Sequence, residues 1–244
     1  MIPRDAARET NQAISGRPGW LIPLIVLGVT VLLSGLVLVY YLAPRPTALI
    51  QGRASPTQAT DPIQVSLDDL HFRIPANYIR QRGARRGGAL REVPLFAAIP
   101  DFRGYSDAEA ATFLGNAADS PIIYILLHEE QTKLSETDRL RRIYLGYVKD
   151  ARGQQSPFGL RQYIFKDNSG YRGEDLFVGR FGTGLVALRC ERLTADLISP
   201  NCLRDTRLAG HVYLSYRFKR SQLARWREIS SGVEMLVHSF MRKT

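Results

Sequence analysis

The sequence predicts an α+β protein: one N-terminal transmembrane helix followed by a mostly antiparallel β-sheet domain that a C-terminal helix packs against. Three observations point there. Residues Trp20–Tyr41 contain no Asp, Glu, Lys, Arg, His, Asn or Gln. After residue 62, short segments alternate apolar and polar side chains and are bounded by Gly, Asn, Asp or Pro, the pattern of strands joined by tight connections. The final stretch switches to spacings of three and four, the pattern of a helix with one buried face.

At about 1.5 Å of rise per residue the apolar run makes a helix of roughly 33 Å, enough to cross a hydrocarbon layer about 30 Å thick. Fourteen of its residues are Leu, Ile or Val. At roughly 0.3–0.6 kcal/mol each, they favour insertion by about 6 kcal/mol before Pro23, the glycines and the hydroxyls subtract from it. Pro23 falls in the first turn, where a missing N–H matters least, and Trp20, Tyr40 and Tyr41 sit where aromatic rings prefer the headgroup zone. A secretory signal has an apolar region of roughly 7–15 residues and a small-residue cleavage site. This run is longer, "YYLAPRP" surrounds its small residue with bulky ones, and no cysteine lies near for lipid attachment. The run therefore reads as an uncleaved anchor.

Arg4, Arg8, Arg17 and the terminal amine precede the run, whereas only Arg45 and Arg53 follow closely. The positive-inside rule makes residues 1–19 a cytoplasmic tail, 20–41 the span of a bacterial inner membrane, and the remainder periplasmic. Thr30 and Ser34 form a small-xxx-small pair, with Gly28 and Gly35 two turns apart, a pattern through which a homodimer can associate. Residues 42–62 carry four prolines among small polar residues and read as a solvated linker. Residues 63–244 are enough for one domain with its own core.

Within that domain the expected strands are Ile63–Leu67, Leu70–Ile74, Ile122–His128, Ile143–Val148, Leu160–Lys166, Asp175–Arg180, Leu185–Cys190 and His211–Lys219. "FGTGL" at Phe181–Leu185 reads as a hairpin turn whose glycines supply positive φ. "YSDAEAATFLGNAADS" reads as a helix with Ser106 and Glu109 at capping-box spacing. In the last helix Trp226, Ile229, Val233, Leu236 and Phe240 form the apolar stripe, widened by Leu223 and Val237, and Arg242 and Lys243 suit its negative pole.

Cys190 and Cys202 are the only cysteines, follow the anchor and bracket a short loop. In an oxidising compartment they are expected to form a disulfide, since two thiolates without nearby histidines make an incomplete metal site. The net charge of +10 on an exported domain points toward lipid headgroups, cell-wall polymers or acidic envelope proteins. Five arginines, Arg80, Arg82, Arg85, Arg86 and Arg91, are interleaved with Gly83, Gly87 and Gly88 in "RQRGARRGGALR". The glycines are expected to deny this stretch regular structure, so that it displays guanidinium forks to an anionic lipid or an acidic partner. It has no aromatics for stacking, so nucleic acid is not expected.

No catalytic residue, metal site or cofactor is expected. His71, His128, His211 and His238 are scattered over different elements. "HEEQT" has Thr132 where a zinc-protease helix needs its second histidine. No nucleophile elbow, acylating Ser-x-x-Lys or Walker loop occurs, and "GRFGTG" lacks the lysine of a phosphate loop.

"FRIPANYI" (Phe72–Ile79), "PDFRGYS" (Pro100–Ser106), the two cysteines and "LARWREISSGVEMLVHSF" (Leu223–Phe240) together resemble a family of uncharacterised proteobacterial proteins with an N-terminal membrane or lipid anchor and a small periplasmic domain. The resemblance implies the anchor, the compartment and the disulfide. It supplies no catalytic residues. Some similar proteins are immunity partners of antibacterial secretion-system toxins, so it also implies a role in neutralising a periplasm-delivered toxin. The general expectation is a periplasmic binding domain on a single-pass anchor. An envelope hydrolase is the remaining class, which would need a pocket gathering a histidine and a carboxylate.

Overall fold

The computed structural model describes residues 20–42, 54–131, 134–182 and 184–242. The chain divides into two compact units, Met1–Ile50 and Gln51–Thr244. In the first, α1 (Leu21–Leu42) is a 22-residue helix without a charged side chain. Among the described residues no helix is long and apolar enough to cross a membrane. The side chains of α1 that are described without a break run from Ile22 to Gly35, about 21 Å of helix at 1.5 Å per residue. The expected tail 1–19 and most of the linker lie outside the described residues.

The second unit runs β1 (Pro62–Leu67), β2 (Leu70–Pro75), β3 (Gly88–Ala89), β4 (Glu92–Ala98), α2 (Ala110–Leu114), β5 (Ile122–Glu129), α3 (Glu136–Arg139), α4 (Leu145–Tyr147), β6 (Gln154–Ser156), β7 (Leu160–Ile164), β8 (Glu174–Phe181), β9 (Gly184–Glu191), β10 (Asn201–Ala209), β11 (Val212–Lys219) and α5 (Trp226–Phe240). Eight strands form one antiparallel sheet in the order β4-β5-β11-β10-β9-β8-β7-β6, and β2-β1-β3 form a small second sheet. Of the eight expected strands, seven are present, and the β8–β9 hairpin closes between Phe181 and Gly184 with Gly182 at φ 57°.

Alternation along each strand sends one set of side chains to an inner face. Leu95, Ile125, Leu214 and Tyr216 there meet Val65, Phe72 and Ile74 of the small sheet and Trp226, Ile229, Val233, Val237 and Phe240 of α5. The stripe read from the sequence is thus the buried one, with Val237 in place of Leu236 at its centre and Leu236 packed at the edge. Trp226 is wholly buried, and its indole N–H donates to the Phe158 carbonyl at 3.0 Å. Gly179 makes room for it, since a Cβ there would meet the indole at 2.8 Å. After α5, Met241 bridges back to Phe72, and the Arg242 N–H donates to the His71 carbonyl.

Three expectations are corrected. Of Ile143–Val148, all but the last residue is helical, continuing α3 through a π turn at Leu140–Tyr144 into α4, while Val148 is extended and bridges Phe165. Ser135 caps it by accepting from the Asp138 N–H, and Leu140 and Tyr144 turn together onto Phe165 and Leu176, an amphipathic spacing that a short β-branched window conceals. The capping box at Ser106 is broken, because the Glu109 carboxylate is held by Arg103 and the Ser106 side chain caps no backbone N–H. Only a 3₁₀ turn (Asp107–Glu109) and α2 follow. The arginine stretch is not irregular: Ala84–Arg86 form a 3₁₀ turn and Gly88–Ala89 pair in parallel with β1. Gly87 is required there, at φ 72°, because a Cβ would stand 2.6 Å from the Gln64 carbonyl oxygen.

The disulfide is formed between Cys190 and Cys202, directly opposed residues of β9 and β10, both fully buried. Substituting both by Ala is expected to lower unfolding stability by about 3 kcal/mol, the loop-closure contribution for a crosslink of this sequence separation, as read from the urea midpoint of the oxidised proteins. An unchanged midpoint would show that the crosslink is thermodynamically idle.

Candidate functional site

The face of the large sheet turned away from α5 is covered at both ends and open between them. At one end Tyr105 and Phe113 pack on Phe96, Ala98 and Ile122. At the other, Leu140, Tyr144 and Val148 pack on Phe165, Leu176 and Ala187. Strand register sets what lies between. One cross-strand row reads Phe96, Tyr124, Arg217, Leu203 and Arg189, and the next reads Pro94, Leu126, Ser215 and Asp205. From these rows Pro94, Tyr124, Leu126, Leu203, Ser215 and Arg217, with Arg80 beside them, line a shallow groove of about 300 Å³.

Its floor is apolar and aromatic, from Pro94, Tyr124, Leu126 and Leu203, and two guanidinium groups stand in it. Arg80 follows the segment that extends the sheet edge: Ile79 bridges Leu95, and the Arg80 N–H donates to the Pro94 carbonyl. Its guanidinium carbon stands over the Tyr124 ring, 5.2 Å from the centroid. Arg217 is exposed and is the direct cross-strand neighbour of Tyr124. No carboxylate lines the groove, and among the described residues no ion pair engages either arginine. The nearest acid in the rows, Asp205, is held by Arg139 at 3.0 Å and by the Ser215 hydroxyl.

Of the five arginines singled out in the sequence, the fold brings Arg80 to this groove. Arg85 is structural: it is half-buried, donates to the Ile79 carbonyl at 2.9 Å, and has its pKa lowered first by burial and then by Arg82. Arg82, Arg86 and Arg91 are exposed. Sequence reading missed Tyr124, Leu203 and Arg217, which share a site only through strand pairing. The alternation in "VYLSYRF" puts Tyr213, Ser215 and Arg217 on one face, and that was the available signal.

A second polar cluster lies inside. Arg204, on the inner face of β10, donates to both oxygens of Glu136, to Glu234 and to the Tyr216 hydroxyl, which is itself bonded to Ser230. β9 and β10 pair only over Cys202–Arg204, and beyond that point the Ala187 N–H donates to the Glu136 carboxylate instead of to a strand. Burial opposes the Arg204 charge, but Tyr216 and Glu136 outweigh it and raise its pKa. The arrangement is a fully bonded network that seals the point where the strands diverge.

Among the described residues no group of three or more His, Cys, Asp or Glu is placed to hold a metal. His128 lies near the end of β5, as expected for "HEEQT", whose Thr132 is outside the described residues. The loop between the cysteines exposes Leu193 and Ile198, while its base is fixed by Glu191 to Asn201 and by the Ser199 hydroxyl to the Asn116 carbonyl.

No family model and no curated protein matches the sequence. Among solved structures, the chain is similar to Smlt3025, an immunity protein of the Stenotrophomonas maltophilia type IV secretion system, with a TM-score of 0.53 and 16% identity over 75% of this chain and 94% of that one. It is also similar to FrpD, an iron-regulated outer membrane lipoprotein of Neisseria meningitidis, with a TM-score of 0.47 and 14% identity over 79% of this chain and 99% of that one. At these identities the likeness to Smlt3025 establishes a shared fold.

Proposed function

We propose that this chain is a single-pass inner-membrane protein whose periplasmic α+β domain binds and neutralises a protein partner, in the manner of an immunity protein. The observation that carries the reading is the open strip of sheet, with an apolar and aromatic floor and two arginines that no carboxylate engages. Apolar surface rimmed by cations and left uncovered in a domain whose core is otherwise closed marks an interaction face. The shared fold with an immunity protein supports the neutralising role. Support for the anchor comes from the uncharged helix Leu21–Leu42 and the arginine bias before it. Export agrees with the disulfide between Cys190 and Cys202. The exposed Arg82, Arg86 and Arg91 add a secondary contact to anionic lipid, each worth about 1 kcal/mol near such a surface.

A photocrosslinking amino acid at Leu203, on the strip, and at Arg86, on the arginine turn, tests this in intact cells. The expected result is a protein adduct from Leu203. Exported to the periplasm of cells lacking this chain, the captured protein should arrest growth, and the full-length chain should restore it. No protein adduct from either position would end the binding reading; a harmless captured protein would end the neutralising one. Extraction with alkaline carbonate should leave the full chain in the membrane pellet, and its release would remove the anchor.

A further inference from the structure

We infer that the strip between the two covered ends of the sheet takes an acidic, amphipathic segment of the partner protein, an Asp or Glu beside an apolar or aromatic side chain. This rests on the binding reading above and specifies the chemistry of the occupant.

The argument starts from charge. Arg80 and Arg217 flank Tyr124, one placed over its ring and the other its cross-strand neighbour. Directly opposed residues in a sheet have Cβ atoms about 5 Å apart, so both forks reach one small region. A cation held over a ring face does not use up its N–H groups as hydrogen-bond donors. Those N–H groups suit a carboxylate in bidentate fashion. With no acid lining the groove and Asp205 engaged by Arg139 and Ser215, the positive potential there is not cancelled locally.

The floor supplies the second half of the match. Leu203 pairs across from Arg217, and Leu126 and Pro94 lie in the adjacent row. An apolar side chain next to the carboxylate would cover them. The groove, about 300 Å³, is at the lower limit of small-molecule sites and is walled on too few sides to bury most of a free ligand. A segment carried by a folded partner brings the rest of its interface with it, which a shallow face of this kind requires.

The test is selection of a displayed random-peptide library against the full-length protein in detergent, followed by binding of the enriched peptides to wild type and to Arg80→Ser/Arg217→Ser. The expected result is enrichment of sequences pairing Asp or Glu with Leu, Phe, Tyr or Trp. Their affinity should fall about tenfold or more in the double variant and fall with added salt, because both cations act directly on the ligand. A single Tyr124→Leu variant, which keeps both charges and an apolar floor, should retain acid selection with weaker binding. Enrichment without acidic bias, equal binding by the double variant, or no enrichment would each overturn the assignment. Binding of anionic vesicles through Arg80 and Arg217 without peptide selection would do so too, assigning the strip to lipid. A protein adduct at Leu203 with none of these peptide results would leave the binding reading standing and remove only this chemistry.

Discussion

Replacing Glu136 by Leu is expected to destabilise the domain by about 3–5 kcal/mol, the cost of leaving a buried charge without its partner. Glu136 accepts from two nitrogens of Arg204 and from the Ala187 N–H. Its loss strands a guanidinium whose side chain is only 6% exposed and leaves a strand N–H unbonded where β9 and β10 part. Glu234 holds one other nitrogen of Arg204 at 3.0 Å but is itself a third exposed, so it offsets only part of the loss. Paired replacement of Glu136 by Leu and Arg204 by Met should recover much of the deficit, since an apolar pair carries no desolvation penalty. Urea denaturation of the single and double variants measures both. A single variant within about 1 kcal/mol of wild type would mean that water reaches the network.

Trp226→Ala should cost about 3–5 kcal/mol by the same measurement, as for large aromatics removed from a well-packed core. The indole fills the space left by Gly179 and bonds the Phe158 carbonyl, so truncation opens a cavity and removes a hydrogen-bond donor together. Trp226→Phe should recover the apolar part and not the bond. Coincident losses for Ala and Phe would assign the effect to the N–H, and a negligible loss for Ala would refute a closed core under α5.

The pattern of success in reading the fold has physical causes. Strands such as Ile122–Glu129 and Val212–Lys219 were legible because each carries an apolar face with period two. β4 was not, because Pro94 interrupts it; the strand tolerates proline as the terminal strand of the large sheet. β10 was hidden by Arg204, Asp205, Thr206 and Arg207, which read as solvated loop until the structure supplies Glu136 and Tyr216 as buried partners for Arg204. The disulfide was legible because only two cysteines exist to pair. For the candidate site, Arg80 was singled out for a reason the structure alters: it belongs to a sheet face, not to a displayed loop. Tyr124 lies on β5, whereas Leu203 and Arg217 oppose each other in the β10–β11 hairpin much later in the chain, and no local pattern announces that register will set Tyr124 beside them.

Where β9 and β10 meet, the large sheet has a seam between two four-stranded halves, joined over just Cys202–Arg204. A covalent clasp closes it at Cys190 and Cys202, and an ionic rivet closes it at Arg204. A molecule kept among reducing thiols would keep only the rivet and the short strand pairing there, so this line is expected to open first and expose apolar edges to proteases. The seam is thus the line along which reduction is expected to loosen the sheet before any other, a change that limited proteolysis with and without a thiol reductant would register.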